Sequence, residues 1–167
     1  MPERDLRVIV IGAGMAGILS AIKLREAGLT DLVVYEKADR LGGTWRENTY
    51  PGIACDVPSH LYSYSFALNP DWSQSFSPGD EILAYFERVA EDHGVLDLVR
   101  FGEEVDRLEW RDGRWHLGTT TGTIDEAAWA RTVQVAKNQG YGHGILTGLQ
   151  AATGDGPTIP GRRPARG

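Results

Sequence analysis

Residues 8–17 read VIVIGAGMAG and residues 32–36 read LVVYE, and these two stretches decide the fold. The run from Leu6 to Ile11 is apolar, largely β-branched, and stops at Gly12. That is the pattern of a strand buried on both faces of a parallel sheet. From Met15 to Ala27 the pattern changes: Ala16, Leu19, Ile22 and Lys23 fall at helical spacing, and Gly28 stands where a helix is closed. Leu32 to Tyr35 is a second apolar strand. The three form a βαβ unit with short turns, whose crossover is expected to be right-handed.

Between strand and helix lies Gly12-Ala13-Gly14-Met15-Ala16-Gly17. In this context each glycine has a separate duty. Gly12 permits the tight turn, Gly14 lets the backbone approach a pyrophosphate, and Gly17 lets the helix pack close to the strand. The helix N-terminus offers N–H groups and a positive dipole end to phosphate. Glu36 ends the second strand, 19 residues after Gly17. A carboxylate there accepts hydrogen bonds from the ribose hydroxyls of an adenosine and repels a 2′-phosphate. On these residues alone, FAD and NAD both remain open.

Outward from this unit, residues 38–69 show no sustained period and are rich in Gly, Pro, Tyr and Ser. A stretch of that length is functional or disordered, and its Trp45, Tyr50, Tyr62, Tyr64 and Phe66 argue for order. Ser77 is predicted to cap a helix, with Pro78 in its first position and Asp80 as the capping-box acid. Ile82, Leu83, Phe86, Val89 and Ala90 line one face of that helix, and Gly94 ends it. Val105 to Trp110 alternates, Asp112-Gly113 is a hairpin turn, and Arg114 to Leu117 returns, with Trp110 and Trp115 packing across. Asp125 to Asn138 is expected to be a helix with Trp129, Val133 and Ala136 on one face. No internal repeat is present.

Composition narrows the function classes. The 167 residues carry a net charge of −6, which argues against a nucleic-acid binder. The only basic cluster, Arg162, Arg163 and Arg166, lies at the end of the chain. Cys55 is the only cysteine, so no internal disulfide forms. The apolar run from Val8 to Ile11 is too short for a signal core or a membrane span, so a cytoplasmic protein is expected. His60, His93, His116 and His143 lack metal-ligand spacing, so no metal is assigned. Ser59, Ser63 and Ser65 lack the elbow context of a hydrolase nucleophile.

Gly42-Gly43-Thr44-Trp45 follows Glu36 at short range and marks a second place where backbone must come close to a ligand. Residues 42–66, GGTWRENTYPGIACDVPSHLYSYSF, resemble the corresponding stretch of the Baeyer–Villiger and related flavin-containing monooxygenases. The resemblance runs from Arg7 to about Leu117, with the fingerprint, the acid, GGTW, YPG, CDVPS and YSYSF in family order. It implies an α/β, Rossmann-like FAD-binding domain, a parallel sheet with helices plus a β-hairpin or meander, incomplete within this chain. It implies FAD as cofactor, NADPH as co-substrate, and oxygenation of a ketone or of a nitrogen or sulfur centre in a small organic molecule.

The resemblance also implies roles. Gly12, Gly14, Met15, Ala16 and Gly17 line the pyrophosphate, and Glu36 and Lys37 lie at the ribose. Gly43, Thr44 and Trp45 run along the flavin and its linker, and Tyr62 contacts the flavin. Asp56 matches a catalytic aspartate beside the isoalloxazine and the nicotinamide, and the Val105 backbone meets the adenine. Taken without the resemblance, Asp56 is also a good turn residue before Pro58, and Tyr62, Tyr64 and Phe66 are also good core residues.

Members of this family run to several hundred residues and carry a second glycine fingerprint for NADPH, which this chain lacks. Residues 1–122 are therefore read as the FAD-binding domain and 123–167 as a divergent tail, of a truncated, rearranged or frame-shifted chain or of a short variant with a tail of its own. A sheet left short of strands exposes an edge, which invites self-association or a partner chain. Two other readings stand beside this one. One is a non-catalytic FAD- or NAD-binding module. The other is a two-dinucleotide reductase, disfavoured because such enzymes carry a redox cysteine pair.

Overall fold

The computed structural model describes residues 7–127 and 129–131. Strand β1 (Val8–Ile11), helix α1 (Met15–Glu26) and strand β2 (Leu32–Glu36) form the expected βαβ unit. β1 and β2 pair in parallel, with Val8 opposite Leu32 and Ile11 opposite Tyr35. Gly28 follows α1 with φ +85°, a left-handed conformation that glycine adopts without strain.

A short helix α2 (Thr44–Glu47) and a longer helix α3 (Gly79–Asp92) follow. A 3₁₀ turn (Leu96–Leu98) then leads into β3 (Val99–Phe101), β4 (Val105–Arg111) and β5 (Arg114–Thr119). The last described strands are β6 (Ile124–Ala127) and β7 (Trp129–Arg131). Two sheets result. One has the order β3-β2-β1-β7 with every pairing parallel, and the other is the antiparallel meander β4-β5-β6.

Side-chain alternation along β1 and β2 separates two cores, as period-2 geometry requires. Val8, Val10, Leu32 and Val34 join α1 and α3 in one cluster. Ile9, Val33 and Tyr35 join Leu117 and Ala127 of the meander in another. The parallel sheet is thus a middle layer, with helices on one face and the meander on the other. α1 is buried nearly all round, whereas α3 buries only the face carrying Ile82, Tyr85, Phe86, Val89 and Ala90.

Three expectations are corrected. Pro78, not Ser77, occupies the N-cap of α3, and no side chain caps it. Ser77 is buried, its N–H donates to the Ser59 hydroxyl at 2.7 Å, and its own hydroxyl donates to the Gln74 carbonyl, so it is held by the loop and not by the helix. Tyr85 takes the place on the buried face assigned to Leu83, because its ring packs among Tyr64, Trp72 and Phe86 in tilted and edge-to-face contacts. The helix expected over 125–138 is overturned where it is described. Residues 124–127 and 129–131 are strands, drawn into the two sheets by β5 and β1, and the rest of that stretch lies outside the described residues.

The aperiodic stretch 38–69 and the loop that follows it to residue 78 bond extensively to each other and to α3. Ser59 is fully buried, its N–H donates to the Ser75 carbonyl at 2.7 Å, and its carbonyl accepts from the Ser63 hydroxyl at 2.9 Å. The Tyr85 hydroxyl donates to the Ala67 carbonyl and accepts from the Tyr64 N–H. These bonds satisfy backbone groups that no helix or sheet serves.

Candidate dinucleotide site

The glycine loop sits at the carboxyl end of β1, where α/β sheets bind ligands. Gly12 has φ +94°, and its N–H donates to the Tyr35 carbonyl at 2.7 Å. A methyl group on Gly17 would stand 1.8 Å from the Gly12 carbonyl oxygen, so only glycine allows α1 to start here. The first turn of α1, Met15 and Ala16 included, carries no acidic side chain, which leaves the positive end of the helix dipole free for an anion.

The second glycine pair lies directly against the first loop. The Gly42 N–H donates to the Ala13 carbonyl at 3.0 Å, and a Cβ on Gly43 would stand 3.0 Å from the Gly14 Cα. The close backbone approach at Gly42-Gly43, expected towards a ligand, is in this structure an approach to the first glycine loop. α2 starts at once from this contact and carries Thr44, exposed, and Trp45, half-buried.

Glu36 is 4% exposed and faces the same loop. Its Oε2 accepts from the Ala13 N–H at 2.7 Å, and its Oε1 accepts from the Ala38 N–H at 3.0 Å and from Arg46 Nη1 at 3.2 Å. A carboxylate has about four acceptor positions, so capacity remains for a ribose hydroxyl. Lys37 is exposed and only brushes Glu47, at 3.9 Å. The Glu36 carbonyl accepts from the Glu103 N–H at 2.9 Å, which ties it to the loop leading into Val105 at the start of β4.

The aromatic end is brought together by the loop. Trp45 Nε1 donates to the Tyr62 hydroxyl at 3.2 Å, and the two rings meet edge to face with centroids 5.6 Å apart. Burial pushes the Tyr62 phenol up, and Asp56 lies near enough to add to that shift. Asp56 itself is exposed, in a bend before Pro58. The Tyr64 hydroxyl donates to the Met15 carbonyl at 2.5 Å, so the aromatic loop is fastened to the start of α1. Cys55 is buried, and its thiol is pushed up by that burial, which suits packing and not nucleophilic work.

The structure thus gathers Gly12, Gly14, Gly17, Glu36 and Gly43 around one loop, and Trp45, Tyr62 and Asp56 around another. Val105 is tied to the first group through Glu103 and packs against the cluster that includes Tyr35. Sequence reasoning missed Arg46, whose side chain is 8% exposed and paired with both Glu36 and Glu47. Nothing in WRE marks it as buried. Among the described residues no cluster of His, Cys, Asp and Glu could hold a metal, and no helix is long and apolar enough to cross a membrane.

Comparisons with known proteins agree with this fold. Residues 10–78 match the model of an NAD(P)-binding Rossmann-like domain family. The chain is 51% identical over 124 residues to a Baeyer–Villiger monooxygenase of Streptomyces coelicolor, covering 73% of this chain and 24% of that protein. The structure of cyclohexanone monooxygenase from Rhodococcus sp. Phi1 bound to NADP+ superposes with a TM-score of 0.70 at 33% identity, covering 76% of this chain and 25% of that one. The OTEMO complex with FAD and NADP gives a TM-score of 0.71 at 30% identity, over 76% and 25% of the two chains. This chain therefore spans about a quarter of the length of the relatives it matches. In sequence and in fold, about three quarters of it is the counterpart of that quarter of the Baeyer–Villiger-type monooxygenases.

Proposed function

We propose that this chain is the FAD-binding portion of a flavin-dependent monooxygenase, and that NADPH-dependent oxygenation of a ketone, nitrogen or sulfur centre needs more than this portion. One observation carries the reading: two glycine segments pack backbone to backbone beside a buried carboxylate, with Gly42 N–H on Ala13 O at 3.0 Å and Glu36 on Ala13 N–H at 2.7 Å. NAD domains usually go straight into another helix at this point. The solved relative that carries both FAD and NADP supports the choice of cofactor.

In this reading Gly12, Gly14, Met15, Ala16 and Gly17 present α1 to the pyrophosphate. Glu36 accepts from the adenosine ribose, and Lys37 and the Val105 backbone border the adenosine. Gly43, Thr44, Trp45 and Tyr62 form a wall along the flavin that excludes water. Asp56, exposed beside Tyr62, orients a nicotinamide or a basic group and is the one catalytic candidate in this portion. Bound flavin supplies the redox and oxygen chemistry, and the protein supplies position and a dry surface. The expected setting is cytoplasmic, with a small organic substrate and self-association through an exposed sheet edge.

Purification followed by an absorbance scan tests the proposal. A yellow protein that releases flavin on denaturation, or takes up added FAD, supports it; a colourless protein that cannot take up FAD overturns it. The match of residues 10–78 to an NAD(P)-binding Rossmann-like domain family favours a second reading, a non-catalytic dinucleotide module. Calorimetric titration with FAD and NAD, together with NADPH-dependent oxygen uptake on a ketone panel, separates the two. The expected result is FAD binding with little or no oxygen uptake.

A further inference from the structure

The pyrophosphate and the ribose acid make unlike demands on one loop. Glu36 reaches the Ala13 N–H, and Ala13 lies between the two glycines that face the proposed pyrophosphate. An anionic ligand seated there stands close to a buried carboxylate, and like charges repel strongly where water is excluded. The site needs a cation, and α2 delivers one. Arg46 Nη1 donates to Glu36 Oε1 at 3.2 Å and to the Arg40 carbonyl, and Nη2 donates to Glu47 Oε1 at 2.5 Å. Burial works against the guanidinium charge, but the carboxylates of Glu47 and Glu36 outweigh it. Lys37 does not do this work: its side chain is 61% exposed, and its ion-pair partner is Glu47.

We infer that Arg46 is a positioning residue that pairs with the Glu36 carboxylate and offsets its charge, so that a diphosphate can bind the same loop. The inference rests on the proposed FAD site and deepens it. Placement favours it. α2 is only four residues long and begins where Gly42 and Gly43 touch the first loop, so the glycine contact and the arginine are delivered as one unit. Three of the five guanidinium N–H groups serve the bonds above, so the guanidinium is held by Glu36, Glu47 and the Arg40 carbonyl at once. A purely structural ion pair would instead hold α2 in place and have no preference among ligands.

The test compares FAD, ADP and adenosine on the whole chain by calorimetry, with adenosine lacking the diphosphate. In the native chain ADP binds more tightly than adenosine. Arg46→Met is expected to weaken FAD and ADP by about tenfold or more, as loss of a charge-assisted contact does, and to leave adenosine within about twofold. Arg46→Lys is expected to restore part of the ADP preference. In a Glu36→Gln background the same Arg46→Met change is expected to cost ADP binding far less, because the charge it offsets has gone. Thermal unfolding without ligand reports any loss of fold, and Arg46→Lys keeps the comparison open if Arg46→Met unfolds. An unchanged ADP-to-adenosine ratio in both Arg46 variants overturns the inference and leaves the FAD site standing. A native chain that binds none of the three ligands overturns both.

Discussion

The parallel sheet and the meander are both sheets in the same chain, and they are held in opposite ways. In β1 and β2 nearly every side chain is buried, Glu36 included. In β4 only two of seven positions, Val105 and Leu108, are even half-buried. The meander is fastened instead by Leu117 and Ala127 and by one polar clamp. Asp125 accepts from Arg7 Nε at 3.0 Å, Arg7 Nη2 at 2.8 Å and the Tyr35 hydroxyl at 2.8 Å, joining β6 to the chain just before β1 and to β2. Burial and close backbone contact hold the layer that carries the candidate site. A few directional bonds hold the layer that covers its far face. Substitutions in the two regions should therefore differ in size and in their response to pH.

The largest combined effect, on stability and ligand binding together, is expected at Gly17. An added methyl 1.8 Å from the Gly12 carbonyl forces β1 and α1 apart, so Gly17→Ala should cost about 3 kcal/mol or more and abolish FAD uptake. Thermal unfolding and a flavin titration check it; a stable, FAD-binding Gly17→Ala chain would break the account of the loop. Next comes Phe86, fully buried in α3 against Tyr62, Tyr64 and Tyr85. Phe86→Ala should cost about 3–5 kcal/mol in denaturant unfolding, and its ligand affinity should suffer only through stability.

The clamp comes third and carries a pH signature. Burial alone would raise the Asp125 carboxyl, but hydrogen bonds from Arg7 and Tyr35 outweigh it and hold it below its ordinary value. Its contribution is therefore present above the unfolded value of about 3.9 and is lost as pH falls below that through the folded value. Tyr35 runs the other way. Burial, and then its bond to Asp125, push its phenol up to about 12. The folded state holds that proton more tightly, so the stabilisation is complete below the unfolded value of about 10 and is lost as pH rises from there towards 12. Asp125→Asn should cost about 2 kcal/mol at neutral pH and flatten the acid limb of the stability curve. Tyr35→Phe should reduce the alkaline slope without removing it, because Tyr62 and Tyr85 are also raised by burial. Equal slopes in native and variant chains would detach the clamp from the pH response.

The same contrast explains what could be read from sequence. The βαβ unit was legible because its signals are local: two apolar runs, a helical period and glycines at fixed offsets. The Asp112-Gly113 turn was legible for the same reason, and both residues take the positive φ that such turns need, +52° and +75°. β3 and β7 were not legible. Each has three residues, too few to show a period, and each exists because a distant strand, β2 or β1, offers it an edge. Ser77 carried a correct capping signal that a buried Ser59 hydroxyl overrode through its own bond to the Ser77 N–H. In the candidate site the glycines and Glu36 declare themselves by spacing. Arg46 does not, because its burial depends on where α2 lands against the first loop.

The smallest effect is expected at Trp110, and it tests whether the meander belongs to the core at all. Trp110 is 55% exposed and meets the cross-strand Trp115 edge to face at 5.3 Å. A half-exposed aromatic pair on an antiparallel ladder contributes about 0.5–1 kcal/mol, so Trp110→Ala should lower stability by no more than that. The meander should also open locally, because its buried apolar contacts are few, and amide hydrogens of β4 should exchange well before those of β1 and β2. Faster exchange in β4 of the Trp110→Ala chain, with β1 and β2 unchanged, would sharpen the contrast: a polar-clamped layer that loosens independently of the layer carrying the site. Exchange that quickens equally in all three strands would break it, since the two sheets would then unfold as one unit and the clamp would be part of a single cooperative core.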